Sequence, residues 1–299
     1  MNLPPNSSGI TTERLVAELR PISPVAHVLA RLQHLLTDPN SGLNDIAELI
    51  RLDPALMTRV IQISNSVWFR RGLPCNTIAE AVNRVGFREV YRMVGVVATG
   101  SLVSQPLVAY ARTAMEIWRE SVTCAFAAEI IAERLGEDMP AAYMCGLLHG
   151  IGRLPIDQFL RKAENPKLLT DESFPHDHSG AEYALFGFNQ ADVGGLMLTK
   201  WDFPASVIQP VLYQYAPLEV QEPHDRLAAV LYGARLLRTV VCQQIPPEEV
   251  RVDEETLGEL RLSIDELLSL LPNLQNQLSR ALQVTGQQGS GAGSVGAKG

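Results

Sequence analysis

The residues best suited to chemistry in this 299-residue chain are a few histidines set beside carboxylates or glycines. The stretch Phe174-Pro175-His176-Asp177-His178 places two imidazoles around one carboxylate, donors whose lone pairs can hold a divalent ion. It falls between helical segments, and the favoured reading is a surface turn with Asp177 or Ser179 capping the next helix. Gly146-Leu147-Leu148-His149-Gly150 carries a single histidine at the end of an apolar run, which by itself reads as a buried, hydrogen-bonded core histidine. Ser66, Ser121 and Ser179 lack the Gly-x-Ser-x-Gly setting of a nucleophile elbow. No Lys-Ser/Thr follows Gly194-Gly195, so no phosphate loop is indicated. Cys75, Cys124, Cys145 and Cys242 are far apart and form no Cys-x-x-Cys pair; they read as reduced, mostly buried thiols. These patterns imply no cofactor and no intact catalytic set.

Charge gives a second set of candidates. The net charge of −8 disfavours general nucleic-acid binding by bulk electrostatics. Its distribution is uneven, with seven arginines against three acids between Arg51 and Arg92 and an acidic excess from Pro217 to Glu266. Solvated helix faces would account for both. The sharper reading makes Arg70, Arg71, Arg84, Arg88 and Arg92 a face for a nucleotide, a nucleic acid or an acidic protein partner, since guanidinium forks match phosphate and carboxylate. Arg88 and Arg92 would share one helix face.

The elements that must position these residues are helical. Ser23-Pro24 and Asp53-Pro54 each place proline at a first helical position, followed by apolar residues at helical spacing. Thr77 with Glu80 three residues on reads as a capping box, and Gly86 suits the end of that helix. A helix is expected from Phe87 to about Val103, and a long one restarted by Pro106 and closed by Gly136. Further helices are expected around 141–149, 178–186, 190–200, 205–214 and 225–243. Period-two alternation between hairpin turns is lacking, so the fold class is all-α. Asn65-Ser66 should end the Pro54 helix, with Trp68 and Phe69 offering an apolar body at a junction between lobes. Residues 253–285 are acidic, leucine-rich and helical, with an interruption expected at Pro272; they fit either a hairpin packed on the body or a partner-binding or dimerising helix. Residues 286–299 are glycine- and serine-rich and read as a disordered tail. No apolar run is long enough for a membrane span and no signal peptide is evident, so no membrane association and a cytoplasmic location are expected.

Two stretches carry a family signal. They are Pro21-Ile22-Ser23-Pro24 through Asp53-Pro54-Ala55-Leu56, Asn65-Ser66, Ala81-Val82 and Gly86, and then Gly146-Leu147-Leu148-His149. Together, over about residues 15–215, they resemble the HDOD domain, an HD-related output domain of bacterial signalling proteins. The resemblance implies a two-lobed helical domain at 15–243, with an N-terminal lobe to about 105 and an HD-like bundle over 106–243. A flexible segment over 1–14 would precede it, and a helical extension over 244–285 would follow. It also locates a metal site that is degraded here. Glu120 stands where the first histidine ligand of HD phosphohydrolases is found, the His-Asp doublet is His149-Gly150, and Gln190 occupies the next ligand position. Tyr213-Gln214-Tyr215 replaces a site where paired histidines are common. The implied function is a non-catalytic regulatory domain with a signalling protein as partner, and a homodimer through the C-terminal helices as one arrangement. The alternatives are a nucleotide or nucleic-acid sensor using Arg51–Arg92 and a divergent metal-dependent phosphohydrolase.

Overall fold

The computed structural model describes residues 10–17, 24–38, 40–67, 69, 73–162, 169, 178–246, 249–250 and 252–285. In chain order the helices are α1 Thr12–Ala17, α2 Pro24–Thr37, α3 Leu43–Arg51, α4 Pro54–Ser64, α5 Ile78–Val85 and α6 Phe87–Leu102. They continue with α7 Ala114–Leu135, α8 Met139–Leu148, α9 Arg153–Lys162, α10 Ser179–Phe186, α11 Gln190–Lys200 and α12 Ala205–Leu212. The last four are α13 Asp225–Gln243, α14 Glu254–Leu260, α15 Ile264–Leu268 and α16 Leu271–Thr285. Short 3-10 turns lie at Val108–Tyr110 and Pro217–Glu219. Among the described residues there is no strand, only an isolated bridge between Leu107 and Arg112. The all-α reading holds.

Local chemistry explains the boundaries. The Asp53 carboxylate accepts from the backbone N–H of Ala55 at 2.9 Å and of Leu56 at 3.0 Å, so Pro54 begins α4 with its first amides satisfied. Gly86 separates α5 from α6 with φ +86°, a conformation that side-chain-bearing residues rarely adopt. The long helix does not start at Pro106. Leu107 and Arg112 exchange backbone hydrogen bonds around the first 3-10 turn. A reciprocal Thr113–Glu116 capping box then sets the start of α7 at Ala114. Likewise Pro272 does not interrupt the C-terminal stretch. It is the second residue of α16, where a missing N–H is harmless, and the breaks fall at 261–263 and 269–270.

Helices α2–α6 pack on one another as the N-terminal lobe, and α7, α8 and α13 form the centre of the bundle. The α7–α8 contact depends on Gly146. A Cβ there would stand 2.5 Å from the Cys124 carbonyl oxygen, so only glycine lets the two backbones approach and brings the end of α8 against α7. Helix α1 begins inside the segment expected to be flexible; it packs on α11 and α9, with Leu15 buried. The C-terminal helices fold back onto the body. Leu257, Leu260, Leu267, Leu274 and Leu278 are buried, with α14 against α13 and α16 against α7. The leucines that sequence alone could assign to packing or to association are therefore spent within the chain. Residues 286–299 lie outside the described residues.

Candidate functional site

The end of α8, the start of α9 and the middles of α7 and α13 converge on Glu120 and His149. Glu120 is 7% exposed and His149 1%. The His149 Nδ1–H donates to the Gly146 carbonyl at 2.7 Å, which leaves Nε2 as the ring's acceptor. That lone pair faces Nη1 of Arg238 at 3.4 Å. Burial holds the His149 pKa well below its ordinary value, and the Arg238 and Arg153 charges push it further in the same direction. Glu120 Oε2 lies 3.3 Å from Arg153 Nη1 and 3.7 Å from Arg238 Nη1, and Oε1 lies 3.5 Å from Arg112 Nε. Arg153 and Arg238 are themselves buried.

A polar network surrounds this centre. Gln214, placed just after α12, donates its amide to the His149 carbonyl at 2.8 Å. Arg235 donates to the Gln214 carbonyl and lies over the Tyr215 ring, 4.4 Å from its centroid. Tyr215 Oη accepts from the Gln190 amide at 2.9 Å. The Gln190 backbone N–H donates to Glu182 at 2.7 Å, and the Tyr110 hydroxyl donates to the other oxygen of the same carboxylate at 2.7 Å. Burial and the Glu182 charge hold the Tyr110 hydroxyl firmly protonated. Gly150, with no side chain, sits at the edge; a Cβ built there would meet only the Arg153 guanidinium, at 3.9 Å.

A divalent ion needs several lone-pair donors converging on one point. Here the His149 lone pair points at a guanidinium, and both Glu120 oxygens face guanidinium groups, which offer donors and no lone pair. Among the described residues no group of three or more His, Cys, Asp or Glu could hold a metal ion. The donor set does not fit the metal centre of HD phosphohydrolases. Arginine charge stands where ion charge would be required.

The structure scatters the other sequence candidates. Arg88 pairs through Nε with Glu129 at 2.9 Å and through Nη1 with Glu133 at 3.2 Å. Arg92 pairs with the second Glu129 oxygen at 2.8 Å and with Glu89 at 2.8 Å. Glu129 is buried on α7, so these arginines join α6 of the first lobe to the bundle. Arg84 donates to the Leu73 carbonyl. Arg70, Arg71 and Trp68 lie outside the described residues, as do His176 and Asp177. His178 is not on a surface turn. It is buried, edge-on to Tyr110 with ring centroids 5.2 Å apart, and gives α10 no side-chain cap. Asn65 serves its own lobe: its amide nitrogen donates to the Cys75 carbonyl at 2.8 Å and its amide oxygen accepts from the Cys75 N–H at 2.7 Å. Ser66 closes the turn through its N–H to Ile63 at 2.9 Å. Phe69 reaches the interlobe seam, where it lines a small cavity with Ile63, Met93, Phe126 and Ala281 of α16.

Sequence reasoning missed Arg153, Arg235 and Arg238. The available signal was the spacing of Arg235 and Arg238, three apart on one face of an otherwise apolar run, Leu227 to Val241.

Comparison with known proteins follows the same outline. The HDOD domain model matches residues 22–217. An uncharacterized protein of Treponema pallidum (strain Nichols) is 23% identical over 229 residues, covering 74% of this chain; the chain spans 43% of that relative's length. A solved HDOD domain protein of unknown function from Geobacter sulfurreducens superposes with a TM-score of 0.68 at 20% identity, covering 91% of this chain and 96% of that one. A Marinobacter aquaeolei VT8 protein, provisionally described as a signal transduction protein, gives a TM-score of 0.68 at 21% identity over 92% of this chain and 60% of its own. With the family model spanning the first lobe and most of the bundle, this chain belongs to the HDOD domain family.

Proposed function

We propose that the chain is a non-catalytic signalling domain that acts through contacts with a protein partner. The observation that carries this reading is the placement of Arg112, Arg153 and Arg238 on Glu120, with Arg238 also against the His149 lone pair. A pocket so arranged repels divalent cations and offers no activated water, so the step that HD phosphohydrolases perform has no means here. The description of the Marinobacter protein and the family's name both point toward signalling. A cytoplasmic setting accords with this role, and no described helix is long and apolar enough to cross a membrane.

The test is equilibrium dialysis of the purified chain against Mn²⁺, coupled to a phosphomonoester hydrolysis assay. Wild type is expected to hold no stoichiometric Mn²⁺ and to match buffer in hydrolysis. Tight Mn²⁺ binding that disappears in Glu120→Gln, together with turnover that disappears in His149→Ala, would overturn the reading.

A further inference from the structure

We propose that the cavity at the interlobe seam is a binding site for a small, neutral, apolar molecule of single-ring or short-chain size. Ile63 at the end of α4, Met93 and Val96 on α6, Phe126 on α7 and Ala281 on α16 line it. Phe69 joins them from the turn after α4, held there by its N–H to the Ser66 carbonyl at 3.1 Å. The first lobe, the bundle and the C-terminal extension therefore meet around one hollow. Helix α16 packs on α7 and α13 and faces α4 and α6 across it.

Size and polarity define the ligand. The cavity holds about 90 Å³ and is partly open to solvent. An enclosed apolar cavity of about 150 Å³ takes benzene. A single ring or short alkyl chain therefore seats here with part of its surface at the mouth. Nucleotides need sites of roughly 300–1,000 Å³ and are too large. Charge is disfavoured as well. Glu89 and Arg92 line the cavity but pair with each other at 2.8 Å, and Arg92 pairs with Glu129 at 2.8 Å. Arg280, which also lines it, is exposed to water. An ionic ligand would have to break a pair already made, or shed its hydration against Ile63, Met93, Val96 and Phe126. What remains is the removal of apolar surface from water, against a methionine and aromatic rings that adapt to the shape of the occupant. Protein interiors keep few voids larger than a water. This one lies where an occupant touches three parts of the chain at once, so it couples α16 to the first lobe. Binding itself is independent of the non-catalytic reading, since neither Glu120 nor His149 lines this cavity. The ligand's role as an input to a signalling domain rests on that reading.

The experiment is an NMR titration of the full chain, labelled with carbon-13 at the methionine methyls, with benzene, toluene, benzoate and AMP. Met93 lines the cavity, whereas Met144 and Met197 are buried elsewhere, on α8 and α11. Benzene and toluene should shift the Met93 resonance saturably at millimolar concentration and leave Met144 and Met197 in place. Benzoate should bind at least tenfold more weakly, and AMP not at all. Ala281→Leu fills the cavity from α16 with a good helix former. It should weaken benzene binding at least tenfold while the melting temperature holds or rises. Leu218→Ala, on an exposed turn of the bundle, should leave binding unchanged. Amides of α16 should exchange more slowly with benzene bound. The site is overturned by any of three results: no saturable Met93 shift, equal shifts at all three methionines, or benzoate as tight as benzene. Benzene binding indifferent to Ala281→Leu in a folded variant overturns it too, and the Met93 shift decides the matter even if that variant does not fold. Unchanged α16 exchange at saturation overturns the coupling. All of these leave the non-catalytic reading standing, because Mn²⁺ binding at Glu120 and His149 is measured separately.

Discussion

Two arginine–glutamate clusters are built on α7, around Glu129 and around Glu120, and they are arranged differently. At the seam between α6 and α7, Arg88 and Arg92 meet Glu129, Glu133 and Glu89, so every guanidinium has a carboxylate and the central one, Glu129, is shared. In the bundle, Arg112, Arg153 and Arg238 converge on the buried Glu120. The first arrangement closes its own charge and behaves as a fastener between lobes. The second gathers guanidiniums from before α7, from α9 and from α13 around one buried carboxylate, and so ties three parts of the bundle together. Similar residues thus join a lobe to the bundle in one place and the bundle's own helices in the other.

The comparison breaks first at Glu129. Glu129→Ala strips the shared carboxylate from a 16%-exposed Arg92 and should cost about 3–5 kcal/mol in chemical denaturation; a loss below about 1 kcal/mol would show that the seam is not held by its ion pairs. The Glu120 cluster should respond quite differently. Arg238→Met replaces one of three cations on Glu120 with an apolar side chain of similar length, so stability should shift by less than about 1 kcal/mol. A loss comparable with that of Glu129→Ala would erase the distinction between the two clusters.

His149 sharpens the picture through pH. Its pKa is depressed in the folded protein by burial and by Arg238 and Arg153. Well above its ordinary pKa of about 6.5 the ring is neutral in both folded and unfolded chains and contributes no pH dependence. Below that value the unfolded chain takes up a proton that the folded one refuses. Stability should therefore fall by up to about 1.4 kcal/mol per pH unit from this group as pH drops toward the folded pKa. The difference in melting between wild type and His149→Asn, followed from pH 7.5 to 5.5, isolates the effect; parallel curves would mean that the ring gains no such shift.

The fold was largely legible because its signals are local. The cap at Asp53, the turn at Gly86 and the stop at Gly136 each involve residues within one helical turn of each other. The bridge at Leu107–Arg112 was illegible because two opposed backbone hydrogen bonds leave no mark in side-chain periodicity. Of the candidate site, Glu120, His149 and Gly150 could be singled out in sequence. The arginines that surround them could not. Arg153 and Arg238 lie 33 and 118 positions from Glu120, and only the packing of α9 and α13 against α7 makes them neighbours. Arg88 and Arg92 illustrate the converse: their shared face was foreseen, but the buried Glu129 they meet comes from another helix.

The guanidiniums around Glu120 also limit what one substitution nearby could achieve. A carboxylate introduced at position 150 would meet the Arg153 guanidinium, 3.9 Å from its Cβ, and would be drawn into an ion pair rather than stand open to a divalent ion. Any redesign of this pocket to hold such an ion must therefore remove arginines as well as add ligands.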